Sequence, residues 1–266
     1  MALNSKVKSE IIKILVDTVE AKLKEYKPET KYAPFHYSLL GRDRYAMFSF
    51  IQSINTTFGM SIWEQVAVIL AKGVGFEAKR QLDLLGNVDG QTEITIRKIH
   101  HELRIGSTLT NKNNETKIIK QTIKNSTDKV DPDSRVDFFV KIKNVENYFD
   151  ITSVKPNIKE FVSLKLKLLR WTALRLSLDK KVNIFTRLAI PYNPYFPEPY
   201  ERWTLRGLYD LGAGEILVGE EFWNFIAGGN IYEDLIKAFD EAGKKLRPKL
   251  NKKFLEFKNP KLARKG

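Results

Sequence analysis

The sequence has no cysteine. That excludes a disulfide scaffold, a cysteine-ligated zinc site, an iron–sulfur cluster and a cysteine nucleophile. Histidine is nearly absent too: there are three, and two are the adjacent His100 and His101, too few for a multi-histidine metal centre. No stretch approaches the roughly 18 uncharged apolar residues of a membrane-spanning helix. The opening residues, Met1-Ala-Leu-Asn-Ser-Lys-Val-Lys8, bring charge early and lack the apolar core of a signal peptide. The expectation is a cytoplasmic protein without membrane association. Acidic residues are also in deficit, with 32 Asp and Glu against 45 Lys and Arg, a net charge of +13. Such a surplus favours a polyanionic partner, nucleic acid first.

What is present is enough for a folded core. Hydrophobic residues make up 42% and aromatics 11% of 266 residues, too rich for a disordered chain. The length suits one large domain or two small ones. The charge is uneven: residues 241–266 hold ten basic residues and two acids, a surplus of eight. This tail reads either as a solvated lysine-rich face or as a phosphate contact.

Hydrophobic spacing predicts an amphipathic helix over 5–25 and a second over 43–54, broken at Asn55-Thr-Thr-Phe-Gly59. A third helix is expected from Ser61 to about Lys72, with Ser61 and Glu64 at capping-box spacing. Gln91 to Ile105 has strand-like stretches, and 111–134 is a polar connection with a short helix near 115–124. Strands are expected at 136–142 and 148–154, the second stopped by Pro156. A leucine-rich basic helix then covers 158–178, and a strand 182–190. A proline-aromatic loop over 191–200 is followed by a helix at 204–211, a short strand at 215–218, and helices at 220–226 and 231–242. Interleaved helices and strands give an α/β or α+β class.

The chemistry concentrates on the two central strands. Asp137 and Asp150 sit in hydrophobic β context and are joined by a short turn, so a hairpin brings the carboxylates together. Unpaired charges there are costly, and a hard divalent cation such as Mg²⁺ suits two carboxylates. With Lys155 at the end of the second strand, this is a plan for metal-assisted phosphodiester hydrolysis. The plainer alternative is that Asp137 starts a strand and Asp150 pairs with Lys155 or Lys141.

The segments Val136-Asp-Phe-Phe-Val140 and Tyr148-Phe-Asp-Ile-Thr-Ser-Val-Lys-Pro-Asn157, followed by a helix carrying Arg170-Trp171, resemble the core of type II restriction endonucleases. The likeness is to the TdeIII and MjaII-like group of the PD-(D/E)XK superfamily. Phe58-Gly-Met-Ser-Ile-Trp-Glu-Gln65, Ile190-Pro-Tyr-Asn-Pro-Tyr195, Glu198-Pro-Tyr-Glu-Arg-Trp203 and Glu215-Ile-Leu-Val-Gly-Glu-Glu-Phe-Trp223 resemble that group as well. The resemblance implies a mixed α/β core, a central mixed sheet flanked by helices. It implies a single nuclease domain over 1–266, with N-terminal helices at 5–54, a catalytic core at about 58–226 and a basic tail at 241–266. It also implies Mg²⁺-dependent cleavage of double-stranded DNA at a palindrome of the GGNCC type, by a homodimer whose two-fold symmetry matches the site. A cognate DNA methyltransferase would share the target. Asp137 takes the first-acid role, Asp150 the second, and Glu64 matches an accessory acid, all three toward the metal; the helix cap remains the other reading of Glu64.

The chain departs from that pattern at Thr152, where the family would place lysine. Lys155 is the expected substitute catalytic lysine, either swinging in or serving a shifted Ser153-Val-Lys155 motif with Glu160 as the partner acid. Alternation along a strand puts Asp150 and Thr152 on one face and Lys155 on the other unless the strand bends at Pro156. A nuclease-fold DNA binder with impaired or lost cleavage is the runner-up, and a basic module that binds without sequence preference is the third reading. Lys165, Arg202 and Arg206 are candidate DNA contacts; the two arginines, four apart on the expected helix, share a face, with an ion pair to Glu198 or Asp210 as the alternative. His100-His101-Glu102 is expected as surface or DNA contact rather than a metal cluster.

Overall fold

Hydrophobic periodicity and turn chemistry build the chain from helices and one sheet. The computed structural model describes residues 3–26, 32–126, 130–200 and 207–258. The elements are α1 (Ser5–Glu25), α2 (Pro34–Leu40), α3 (Arg42–Thr57), α4 (Trp63–Gly73), β1 (Glu77–Leu85), α5 (Gly90–Arg104), α6 (Lys112–Thr122), β2 (Val130–Ile142), β3 (Val145–Ile151), α7 (Ile158–Leu178), β4 (Asn183–Ile190), β5 (Ile216–Val218), α8 (Glu220–Ala227) and α9 (Tyr232–Lys258). The chain divides into two compact units, residues 1–69 with 231–266, and residues 70–230.

In the first unit, α1 buries Val7, Ile11, Ile12, Leu15 and Val19 on one stripe, and α9 runs beside it. Lys249 Nζ reaches Glu20 at 2.5 Å and Lys8 Nζ reaches Glu241 at 2.6 Å. The described part of the expected basic tail is therefore helix, and its lysines are partly paired. The break expected at 55–59 does not occur. A π-helical segment, Phe58–Ile62, links α3 to α4. Ser61 is no cap there; its Oγ accepts from Gln65 Nε2 at 2.6 Å.

The second unit holds a five-stranded mixed sheet in the order β1-β2-β3-β4-β5. The pairs β1/β2 and β2/β3 are antiparallel; β3/β4 and β4/β5 are parallel. Parallel neighbours need a long crossover, and α7 supplies it between β3 and β4. Its Phe161, Leu168, Leu169, Trp171 and Leu174 are fully buried against Phe139, Tyr148 and Leu188 of the sheet. Each such side chain contributes roughly 1.5–3 kcal/mol by leaving water. On the opposite face Phe138, Phe149 and Phe222 of α8 form an aromatic cluster, with Phe138 and Phe149 5.7 Å apart.

Two expectations are corrected here, and two elements are new. Gln91–Ile105 is helix, not strand: Asp89 caps it by accepting from the N–H groups of Gln91 and Thr92, and Ile96, Ile99 and Leu103 bury one helical face. β1 and α2 were not expected. The helix expected at 204–211 lies partly outside the described residues, and 207–211 is turn.

Gly86, where the chain leaves β1, adopts φ +132°. A Cβ there would lie 2.4 Å from the Leu174 carbonyl oxygen and 2.6 Å from Ser177 Oγ. Gly86→Ala should therefore destabilise the fold by about 1–3 kcal/mol, read as a lowered urea midpoint; an unchanged midpoint would contradict this packing.

Candidate active site

The site is built where β2, β3 and α7 meet. The β2/β3 ladder ends at the pair Phe138–Phe149. Continuing that register by one residue sets Asp137 across from Asp150, on the face shared by Phe139 and Tyr148. Past the ladder's end, Asp137 Oδ2 accepts the Ile151 N–H at 2.8 Å, and the Thr152 N–H turns to the Ala189 carbonyl of β4 at 3.0 Å. Both expected carboxylates therefore stand at the open end of the β2/β3 pair, one residue past its last rung. Asp150 is only 6% exposed.

Helix α7 runs back along β3 and is tied to it at three levels. Arg175 Nε donates to Glu146 Oε2 at 2.7 Å, Lys167 Nζ to Asp150 Oδ2 at 2.5 Å, and Thr152 Oγ1 to Glu160 Oε1 at 3.2 Å. Fifteen helical residues span about 22 Å and six strand residues about 20 Å, so the two elements keep step. The ammonium of Lys167 also lies 4.8 Å from the Trp171 ring centre, one turn along. Its side chain is 31% exposed.

Lys155, the expected catalytic lysine, goes elsewhere. It is exposed, and its ammonium sits 5.0 Å over the Tyr195 ring. The preceding Val154 carbonyl accepts from Tyr200 OH at 3.0 Å, so the proline-aromatic loop holds this bend. Thus the lysine placed on Asp150 is Lys167. Glu160 is bonded to Thr152 rather than serving a shifted motif.

Lys165 also departs from expectation. It is fully buried, and its Nζ donates to Glu115 Oε2 and to both oxygens of Glu215, each at 2.8 Å. Lys112 Nζ joins from the other side, to Glu215 Oε1 at 3.0 Å and Thr186 Oγ1 at 2.7 Å. Burial, the largest influence on Glu215, pushes its carboxyl up; the charges of Lys112 and Lys165 and their hydrogen bonds outweigh it, and it ends below the usual range. Burial lowers the Lys112 ammonium. Lys165 is an internal ion-pair partner, out of reach of a DNA phosphate.

Glu64 belongs to the other compact unit and is 2% exposed. Arg202 and Arg206 lie outside the described residues. His100 is half-buried on α5, with Nε2 2.8 Å from the Val162 carbonyl; burial lowers its pKa. Among the described residues no group of three or more His, Asp or Glu side chains is assembled to hold a metal. No helix is long and apolar enough to cross a membrane among them.

Sequence reasoning missed Lys167. The signal was the spacing of Glu160, Lys167 and Trp171, seven and four residues apart, which places all three on one stripe of α7.

A chain of this architecture has no significant match among solved structures. Similarity to curated proteins is clearer. The chain is 24% identical to the type II restriction enzyme HgiCII of Herpetosiphon aurantiacus over 234 residues, 84% of this chain and 81% of that protein. It is 24% identical to the type II restriction enzyme MjaII of Methanocaldococcus jannaschii over 211 residues, 76% of this chain and 55% of that protein. The type II restriction enzyme HgiBI of Herpetosiphon aurantiacus aligns over 112 residues at 25% identity, 42% of this chain and 40% of that protein. The family model "Type II restriction endonuclease, HinfI" matches residues 1–243. With its mixed sheet, flanking helices and paired carboxylates, the chain belongs to the HinfI family of type II restriction endonucleases.

Proposed function

We propose that this chain is a Mg²⁺-dependent type II site-specific deoxyribonuclease that cuts double-stranded DNA at a short palindrome of the GGNCC type. The observation that carries the reading is the open end of the β2/β3 ladder, where Asp137 and Asp150 follow the last pair Phe138–Phe149 and a lysine ammonium sits on the second carboxylate. That ammonium is a test of fit: the Asp150 carboxylate already holds one cation. Asp137 and Asp150 would hold the metal. Bound there, Mg²⁺ supplies charge neutralisation at the phosphate and a more acidic water.

The reaction is in-line hydrolysis. A water oxygen bonds to phosphorus, the P–O3′ bond breaks, and the 3′ oxygen takes a proton, leaving a 5′-phosphate and a 3′-hydroxyl. The fork of β2 and β3 fixes the two carboxylates, and Thr152 does not leave the site without a protein cation, since Lys167 reaches Asp150. A palindromic target calls for a homodimer. Arg202 and Arg206 are its proposed DNA contacts, and a methyltransferase of the same specificity would protect host DNA in the cytoplasm.

The test is digestion of plasmids with and without GGNCC sites. Discrete fragments with Mg²⁺, ends mapping to one sequence, and none with EDTA are expected. No cutting in Mg²⁺ or Mn²⁺, or cutting without site preference, would overturn the proposal.

A further inference from the structure

Two lysines lie two residues apart on α7 and have opposite fates. Lys165 is fully buried between Glu115 and Glu215. Lys167 faces the fork of β2 and β3, with its ammonium 2.5 Å from Asp150 Oδ2 and its side chain 31% exposed. Its placement is specific. Trp171, fully buried one turn on, lies under the ammonium at 4.8 Å and limits where the stem can lie. Glu160, seven residues back on the same stripe, is bonded to Thr152, so α7 is fixed against β3 on both sides of Lys167.

We propose that Lys167 is the catalytic lysine of this chain, delivered from helix α7 in place of the strand position occupied by Thr152. The inference rests on the cleavage reading above and names the residue that supplies its positive charge. Asp150 and Thr152 share a face of β3. A lysine side chain from α7 arriving at Asp150 therefore enters the volume that a lysine at position 152 would enter from the strand. The part of the ammonium is electrostatic: it lies beside the carboxylate that would hold the metal, where it can turn to a non-bridging phosphate oxygen as negative charge builds there. No proton transfer is required of it. In the DNA-free chain the same ammonium competes with a divalent cation for Asp150.

That competition separates catalysis from simple support of the carboxylate. Four full-length proteins decide it: wild type, Lys167→Met, Lys155→Met, and Lys167→Met combined with Thr152→Lys. Methionine keeps the length of the stem and its contact with Trp171. Single-turnover plasmid cleavage in Mg²⁺ should fall about 100-fold or more in Lys167→Met, while DNA affinity measured in Ca²⁺ stays near wild type. Lys155→Met should cut like wild type. Thr152→Lys should restore much of the rate lost in Lys167→Met, because the charge returns to the same pocket from the strand. Calorimetric titration of DNA-free protein with Mn²⁺ should show binding as tight in Lys167→Met as in wild type, or tighter.

Wild-type cutting that Lys167→Met leaves intact overturns the lysine assignment alone. So does a loss confined to Lys155→Met. Weaker Mn²⁺ binding by a folded Lys167→Met overturns it too, since it would mark the residue as only shaping Asp150. A wild type that cuts no plasmid overturns the cleavage reading and the assignment together.

Discussion

Asp150→Asn should stop DNA cleavage while leaving the protein folded. The amide keeps the shape of the carboxylate but gives up the charge that would attract a divalent cation. Loss of one metal-holding carboxylate removes several kcal/mol of transition-state stabilisation; about 4 kcal/mol is roughly a thousandfold in rate. The structural cost is smaller. Lys167 is 31% exposed and Asp150 nearly buried, and a hydrogen bond to a charged group contributes roughly 1.5–3 kcal/mol. Asp137→Asn should act similarly on the rate, with a larger effect on the fork. Asp137 Oδ2 accepts the Ile151 N–H where the ladder ends, and an asparagine can keep that bond only through its oxygen. The check is single-turnover cleavage beside thermal unfolding. Rates within tenfold of wild type for both variants would remove the carboxylate pair from the chemistry.

That pair was legible because it depends on local signals. A run of β-branched and aromatic residues, a short turn and a second such run define a hairpin, and the alternation of side chains then sets Asp137 and Asp150 on one face. The helix 158–178 was equally plain from its leucine pattern; the structure adds Asn157 as its cap. Lys167 was not legible in the same way. Which helical lysine meets which strand carboxylate depends on the offset between α7 and β3, a tertiary quantity. Lys155 looked right because it was near in sequence, and the Tyr195 and Tyr200 contacts that draw it away come from 40 and more residues downstream. β1 escaped notice for a different reason. Glu77-Ala-Lys-Arg-Gln-Leu-Asp-Leu-Leu85 is an edge strand whose charged residues are exposed; charged side chains are a usual protection of an edge, and they hide the strand pattern. For α5, isoleucines at 94, 96 and 99 fit alternation as well as a helix; Asp89 as cap and burial of Ile96, Ile99 and Leu103 decide it.

Lys165 shows the same limit from the energetic side, and it leads to the largest expected loss of stability. A lysine on a basic helix reads as solvated until the carboxylates that bury it are known, and these are Glu115 and Glu215, each 50 residues away. Glu215→Gln should cost about 3–5 kcal/mol, the usual consequence of removing one partner from a buried ion pair, out of a total stability of roughly 5–15 kcal/mol. Glu215 is fully buried and serves Lys112, Lys165 and the Asp210 N–H. With an amide in its place, the two ammonium groups would share Glu115 alone, and burial already disfavours the charged form of Lys112. Adding Lys165→Met should recover part of the loss, because it removes the surplus buried charge; the non-additivity of the double variant measures the coupling. The pH dependence carries a definite sign. The folded-state pKa of Glu215 lies below its ordinary 4.5, so its contribution is complete above that pH and is lost as pH falls through the folded value. The gap in urea midpoint between wild type and Glu215→Gln should therefore be widest near neutrality and narrow below about pH 4. A gap that stays constant down to the acid end, or a neutral-pH loss under about 1 kcal/mol, would mean that these charges are as well solvated as a surface pair, which their complete burial contradicts.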